Sequence, residues 1–260
     1  MPDYTGSFLT DNLFSFSLNE SGYVGMNVND KKIWKYNTLT GIWSESSTYP
    51  GELCVACRGF QFQNGIPAFI TRSNQEWWYI SDTNSWIEKS PFPAPTAGSV
   101  AFTFTIGSES YVGKYNISGS TVSVWKKQPT DATWTQLSDC PYPISSSVSL
   151  VLNGMTYTIG GLYSDKNQVW RYDPTLDEWT QMTDGPFESR KNAVGFVIGN
   201  KIYFGGGEKY VSSGEDTGRD EYLLDFYEYT PATDQWVRVQ DFPNPDPGPG
   251  LGGVFVSFMI

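Results

Sequence analysis

Carboxylates close to predicted turns are the residues of this sequence with the clearest chemical potential. There are five: Glu52, Glu76, Glu109, Glu188 and Glu208. A glycosidase needs two carboxylates at a defined separation, one as acid and the other as base or nucleophile. Because spacing along the chain does not show whether any two of the five converge, the sequence indicates this chemistry only in general terms.

A long insertion at residues 207–225, GEKYVSSGEDTGRDEYLLD, concentrates further carboxylates. Calcium prefers oxygen ligands, but the spacing here does not fit an EF-hand loop, and acidic hairpins at a surface are ordinarily solvated. The calcium candidates are Glu215, Asp216, Asp220 and Glu221. We expect no metal and no cofactor. Tyr210 and Tyr222 in the same insertion are candidate ligand-binding residues, because long loops often carry function.

The segment RSNQEWWYI contains two adjacent tryptophans, Trp77 and Trp78. Neighbouring residues in a strand point to opposite faces of the sheet, so only one of them can face a given core. Trp77 matches an aromatic position that recurs along the chain. Trp78 is therefore a candidate for stacking on a sugar ring if it is exposed, and the alternative is packing on the adjacent sheet.

The composition excludes several classes of function. Histidine is absent from the 260 residues and the formal net charge is -11. A Ser-His-Asp triad and histidine-ligated zinc or copper are thereby excluded, and the acidic field opposes nucleic acid and anionic membranes. Apolar runs are too short for membrane insertion, and MPDYTGSFLT lacks the features of a signal peptide, so we expect no leader in this chain.

An aromatic segment recurs five times and indicates the fold. The five copies are IWKYNTLTGIW, EWWYISDTNSW, VWKKQPTDATW, VWRYDPTLDEW and FYEYTPATDQW. Their final tryptophans are 43 to 57 residues apart, a period typical of propeller blades or solenoid units. Each copy contains a third strand and opens a fourth, and two short strands precede it, which is the content of one antiparallel blade.

The sequence therefore predicts an all-β propeller with five complete four-stranded repeats in a single domain over residues 1–260. The repeats are expected at about 13–50, 57–93, 99–143, 147–187 and 193–243. GGVFVSFMI at residues 252–260 predicts one extra strand, and residues 4–9 could supply another. The ring is then either five-bladed with an added strand, or a six-position ring with an incomplete last blade.

This pattern resembles the kelch-repeat family. A glycine doublet such as Gly160 and Gly161 follows the second strand, Tyr-Asp-Pro follows the third, and tryptophan opens the fourth. The resemblance covers residues 13 to about 243. Within the family, the sequence is most similar to the secreted, galactose-oxidase-like kelch propellers of bacteria. It implies an extracellular or cell-surface location. The copper chemistry of galactose oxidase is not expected, because that chemistry uses histidines.

The resemblance also draws attention to Arg190 in ESRKNAVGF, since kelch units often carry an arginine at the channel mouth. A kelch sialic-acid mutarotase can work with arginine and carboxylates. Similarity to such an enzyme would imply a ligand site at Arg190. The alternative is a local anchor that binds Glu188 or a turn carbonyl. Arg190 and Glu188 are both ligand-binding candidates, and we name no catalytic residue.

We therefore expect a non-enzymatic propeller that binds a protein or glycan partner through one face. It would act as a monomer or as a module of a larger assembly, without nucleic acid. The alternative is a carbohydrate-acting enzyme, mutarotase-like or hydrolase-like, with carboxylates and Arg190 at the mouth.

Overall fold

Five four-stranded antiparallel sheets, which we call blades 1 to 5, and one two-stranded hairpin make up the sheets of the described residues. A computed structural model describes residues 14–27, 30–53, 58–94, 98–115, 121–142, 147–161, 167–211 and 219–243. In every blade the strands follow one another in the sheet in chain order. The predicted all-β fold with five complete repeats is confirmed. The closing strand at 252–260 and residues 4–9 lie outside the described residues.

The described residues fall into two compact units. Unit 1 contains residues 14–115 and 123–137, and unit 2 contains residues 121–122 and 138–243. The expectation of a single domain over residues 1–260 stays a prediction.

Unit 1 holds blades 1 and 2, and blade 3 except for Val122. Blade 1 comprises β1 (Phe14–Leu18), β2 (Ser21–Asn27), β3 (Asp30–Asn37) and β4 (Ile42–Thr48). Blade 2 comprises β5 (Arg58–Gln61), β6 (Pro67–Ile70), β7 (Glu76–Ile80) and β8 (Ser85–Glu88), with a 3-10 turn at Ser81–Thr83. Blade 3 comprises β9 (Val100–Ile106), β10 (Glu109–Tyr115), β11 (Val122–Lys127) and β12 (Thr135–Gln136).

Unit 2 holds blades 4 and 5. Blade 4 comprises β13 (Val148–Leu152), β14 (Met155–Ile159), β15 (Val169–Asp173) and β16 (Glu178–Gln181). In blade 5, β17 (Val194–Ile198) and β18 (Lys201–Gly205) are followed by an inserted hairpin, β19 (Glu208–Val211) and β20 (Arg219–Tyr222). The blade is completed by β21 (Phe226–Thr230) and β22 (Gln235–Arg238).

Local turn chemistry sets the register of the strands. Between β13 and β14 the two turn residues are Asn153 and Gly154, with φ of 53° and 77°. Positive φ at both positions is the requirement of the tight hairpin turn that Asn-Gly favours. This turn pairs Leu152 with Met155 and so fixes which side chains of the hairpin face each side of the sheet.

Both faces of blade 2 are buried inside unit 1. On one face Trp77 shares a buried cluster with Tyr23 and Ile33 of blade 1. On the other face Trp78 shares a cluster with Val100 and Val112 of blade 3. Full burial of an apolar side chain stabilises a fold by about 1.5–3 kcal/mol, so these clusters are a major source of cohesion between neighbouring blades.

In blades 4 and 5 the repeated aromatic segment bonds to residues that come shortly before the blade in the chain. In blade 4 the buried Tyr172 hydroxyl donates to Asp177 Oδ1 at 2.8 Å, and Asp177 Oδ2 accepts from the Ser138 backbone N–H at 3.0 Å. The Trp179 indole N–H donates to the Ser138 carbonyl at 3.3 Å. Blade 5 repeats this arrangement with Tyr229, Asp234, Trp236 and Thr183. The recurring tyrosine, through Asp234, and the recurring tryptophan of blade 5 therefore bond to the segment that follows β16 of blade 4.

Candidate functional site

The hairpin inserted in blade 5 has no counterpart in the described parts of the other blades. Its register pairs Glu208 with Tyr222 and Tyr210 with Asp220. Residues paired across an antiparallel ladder share a face, so Tyr210 and Tyr222 are diagonal neighbours on one side of the hairpin. They are 64% and 49% exposed, respectively. The insertion therefore presents two tyrosine rings to solvent.

An open cleft of about 780 Å³ lies beside this hairpin in unit 2. One side is formed by the hairpin arms and the segment that follows them, which contribute Lys209, Glu221 and Tyr222. The loop before blade 5 contributes Glu188, and the segment just before β15 contributes Asn167. The cleft therefore brings together two of the predicted ligand-binding residues, Glu188 and Tyr222.

Charged side chains of the cleft are arranged as ion pairs. Lys209 Nζ lies 2.6 Å from Glu188 Oε2 and 3.9 Å from Glu221 Oε1. The hydrogen bond to Glu188 raises the pKa of the Lys209 ammonium. At the end of β22, Arg238 binds Asp241 at 2.8 Å. Most of the charge that lines the cleft is thus neutralised locally.

Arg190 lies beneath the cleft and is buried, with 1% of its surface exposed. Its guanidinium makes a bidentate pair with Asp225, at 2.7 and 2.8 Å, and also donates to the Gly206 and Glu188 carbonyls. Burial acts to raise the pKa of the Asp225 carboxyl, but the hydrogen bonds and charge of Arg190 outweigh it and lower that pKa. This is the geometry of the local anchor. A direct ligand contact by Arg190 is not what the structure presents.

The remaining candidate carboxylates each have a partner. Glu109 Oε1 pairs with Lys126 at 2.8 Å, and Glu208 Oε1 accepts from Asn192 at 2.9 Å. Glu52 accepts a hydrogen bond from Ser73. Glu52, Glu76 and Glu109 belong to unit 1, whereas Glu188 and Glu208 belong to unit 2. The structure thus divides the five carboxylates between the two units.

Comparison with known proteins finds a known motif in one of the five repeats. A family model for the kelch motif matches residues 143–186, the region of blade 4. The solved structure of YjhT superposes with a TM-score of 0.69 at 15% sequence identity, covering 88% of this chain and 83% of that one. The chain therefore carries a kelch motif in blade 4 and shares its fold with that structure. No curated protein sequence matches it significantly.

The structure corrects the expectation that Trp78 could be an exposed stacking surface and presents the alternative, packing on the adjacent sheet. Trp78 is buried, and its indole N–H donates to Glu76 Oε1 at 2.6 Å. Glu76 also accepts from Lys127 Nζ at 3.0 Å and from the Trp134 indole at 2.7 Å. A buried polar cluster thus joins β7 of blade 2 to blade 3.

The sequence offered a signal for this cluster that its interpretation missed. Lys127 stands where the other repeats have the tyrosine of the aromatic-x-Tyr segment, and Glu76 immediately precedes the tryptophan pair. Two charged residues at otherwise apolar strand positions indicate a buried ion pair, because an isolated buried charge is costly. The pairing of Asp225 with Arg190 was also missed, because the two residues lie 35 positions apart in sequence.

The metal and membrane expectations concern features that the structure describes only in part. Among the residues with described positions, no three acidic or sulfur-bearing side chains form a group able to hold a metal ion. Glu215 and Asp216 lie outside the described residues, and Glu221 is near Lys209. No helix in the described ranges is long and apolar enough to cross a bilayer.

Proposed function

We propose that this kelch propeller is a non-enzymatic binding module that holds a protein or glycan partner at the hairpin and cleft of blade 5. The observation that carries the proposal is the pair of exposed tyrosines, Tyr210 and Tyr222, on an insertion beside a cleft. Exposed aromatic rings with a polar hydroxyl are well suited to recognition, because they give contact area and a hydrogen bond together. The repeated aromatic residues, by contrast, are used for packing.

The state of the carboxylates supports binding over hydrolysis. A glycosidase acid has a raised pKa and stands free to protonate the leaving group. In the cleft, the pKa of Asp225 is lowered by Arg190 against the effect of burial, and Glu188 is paired with Lys209. Neither carboxylate has the environment of a general acid.

Charge and family style support the remaining parts of the proposal. The formal net charge of -11 favours a partner other than nucleic acid. An extracellular or cell-surface location, and a role as a monomer or as part of a larger assembly, are proposed on the resemblance to secreted kelch propellers.

The test uses a glycan array and a peptide array, probed with the wild-type protein and with a Tyr210→Ser/Tyr222→Ser variant. Leu176→Ser is the matched control, because Leu176 lies in a turn of unit 2 and is 64% exposed, as Tyr210 is. We expect binding that the double variant loses and the control retains. Binding that survives in the double variant, or silence on both arrays, would contradict the proposal.

A parallel measurement addresses the enzymatic alternative. Mutarotation of sugars is followed by NMR, and glycoside hydrolysis by release of reducing ends. We expect no turnover above the uncatalysed rate. Turnover that Glu188→Gln abolishes would favour the carbohydrate-acting enzyme instead.

A further inference from the structure

We infer that the ligand of the blade 5 cleft is an uncharged carbohydrate, a neutral oligosaccharide held by hydrogen bonds from paired charges and by the ring of Tyr222. This inference rests on the proposed function and specifies its ligand class. Its basis is the arrangement of charge, of unsatisfied hydrogen-bonding capacity and of accessible apolar surface in one cleft.

Local neutralisation of charge argues against an ionic ligand. Glu188 is paired with Lys209, Asp241 with Arg238, and Asp225 with the buried Arg190. An anionic sugar would have to compete with a carboxylate already bound to each of these cations. A cationic peptide would likewise have to displace a bound lysine or arginine. A neutral ligand requires neither exchange.

The same pairs still offer hydrogen bonds to hydroxyl groups. A carboxylate accepts at two oxygens and an ammonium donates three times, so one ion pair leaves both partners with capacity for further bonds. A sugar hydroxyl both donates and accepts, and can therefore bridge the two members of a pair. Lys209, with Glu188 and Glu221 on either side, offers one donor between two acceptors.

Asn167 supplies an independent observation, because one of its acceptor atoms lacks a hydrogen-bond donor. Asn167 is one of the residues that line the cleft, and its Oδ1 atom is buried without a hydrogen-bond partner among the described residues. A buried acceptor left unsatisfied is unfavourable, so such atoms ordinarily have a partner. A ligand hydroxyl donating to Asn167 Oδ1 would satisfy it.

Apolar surface in the cleft suits a sugar better than a protein. Phe187, Tyr227 and Leu223 line the cleft but are themselves buried. A protein interface normally has an accessible apolar core with aromatic anchors. Here the accessible aromatic surface of the lining is Tyr222, which is 49% exposed. One ring beside many polar groups matches one apolar face of a pyranose.

The experiment is isothermal titration calorimetry of the whole protein with two sets of probes. The neutral set is cellohexaose, xylohexaose, mannohexaose and chitohexaose, and the charged set is hexagalacturonate and octalysine. We expect at least one neutral oligosaccharide to bind, with an affinity that changes less than about twofold between about 50 mM and about 500 mM salt, because no net charge is exchanged.

Variants locate the binding in the cleft. Tyr222→Ala is expected to weaken it about tenfold and Asn167→Ala about fivefold, whereas Tyr222→Phe keeps it within about twofold because the ring remains. Leu176→Ala serves as the control outside the cleft and should bind as the wild type does. A thermal unfolding midpoint that matches the wild type shows that a variant has lost a contact with the ligand and has not lost its fold.

The outcomes distinguish the inference from the function on which it rests. Salt-dependent binding of octalysine or hexagalacturonate that requires Tyr222, with no neutral sugar bound, overturns the inference and leaves the cleft as a binding site. Neutral sugar bound equally by Tyr222→Ala and Asn167→Ala also overturns it, because the sugar then binds elsewhere. If none of the probes binds, the inference fails, and the array results alone decide the proposed function.

Discussion

Replacement of Lys127 by methionine should destabilise unit 1 far more than an ordinary surface substitution. Lys127 and Glu76 form a salt bridge in which both side chains are at most 2% exposed. Lys127→Met keeps much of the side-chain volume but leaves the Glu76 carboxylate buried without its cation. The loss therefore comes from an uncompensated charge and only slightly from packing.

The expected magnitude follows from the contacts of Glu76. Removal of one partner of a buried ion pair typically costs about 3–5 kcal/mol. Two indole N–H groups, from Trp78 and Trp134, still donate to the carboxylate and offset part of this loss. We therefore expect a decrease of about 3 kcal/mol in the free energy of unfolding. At about 2–4 °C per kcal/mol, the unfolding midpoint should fall by about 6–12 °C.

Lys126 provides a matched control on the same strand. Its partner is Glu109, and both side chains of that pair are more than a quarter exposed. Lys126→Met should therefore cost no more than about 1 kcal/mol. In the double variant Glu76→Gln/Lys127→Met no charge is buried, so part of the stability lost in Lys127→Met should return. Guanidinium unfolding followed by tryptophan fluorescence measures all four proteins. If Lys127→Met costs no more than Lys126→Met, the reasoning about the buried charge is wrong.

Three further predictions concern titrating groups. Burial lowers the pKa of Lys114 to about 8, and the charge of Glu52 opposes this shift. Above that pH the unfolded chain binds more protons than the folded protein, so the free energy of unfolding should rise between about pH 8 and 10. Lys114→Met should remove this rise, as measured by chemical unfolding curves. The folded pKa of Asp225 is lowered, so its contribution is present above about 3.8 and is lost as the pH falls further; acid unfolding of Asp225→Asn should show a weaker pH dependence there than the wild type. Burial raises the pKa of the Cys140 thiol to about 12. In a Cys54→Ser/Cys57→Ser variant, the native protein should therefore not react with a thiol reagent at neutral pH. Reaction of the thiol before the protein unfolds would refute this.

The blade architecture was predictable from the sequence because each blade repeats the same physical problem. Every blade must turn tightly and must bury two faces, which requires the same residue types at the same spacing. The pair Asn153 and Gly154 is an example, because only a short list of residues accepts positive φ at both turn positions. Strand alternation likewise required that Trp77 and Trp78 face opposite neighbours.

The candidate site was predictable only in part. Tyr210, Tyr222 and the insertion that carries them are local features, and the sequence indicated them directly. The pairing of Arg190 with Asp225 joins the loop before blade 5 to the end of the insertion, so it depends on how the chain folds back. Proximity of that kind is set by tertiary packing, which a single sequence does not encode at any fixed spacing.

The departure at Lys127 has a physical reason in the turn that follows it. In three other repeats, the third-strand tyrosine donates to a side chain five positions later, which also bonds to a residue that precedes its blade in the chain. These pairs are Tyr79 with Asn84, Tyr172 with Asp177, and Tyr229 with Asp234. Five positions after Lys127 the residue is Ala132, which has no acceptor, so a buried tyrosine hydroxyl would lack this partner there. Lys127 and Trp134 reach Glu76 of the preceding blade instead, and the same joint between blades is made by a charge. A residue that departs from the repeat is therefore a candidate for function only where no structural contact explains the departure. The exposed tyrosines of the blade 5 hairpin meet that condition.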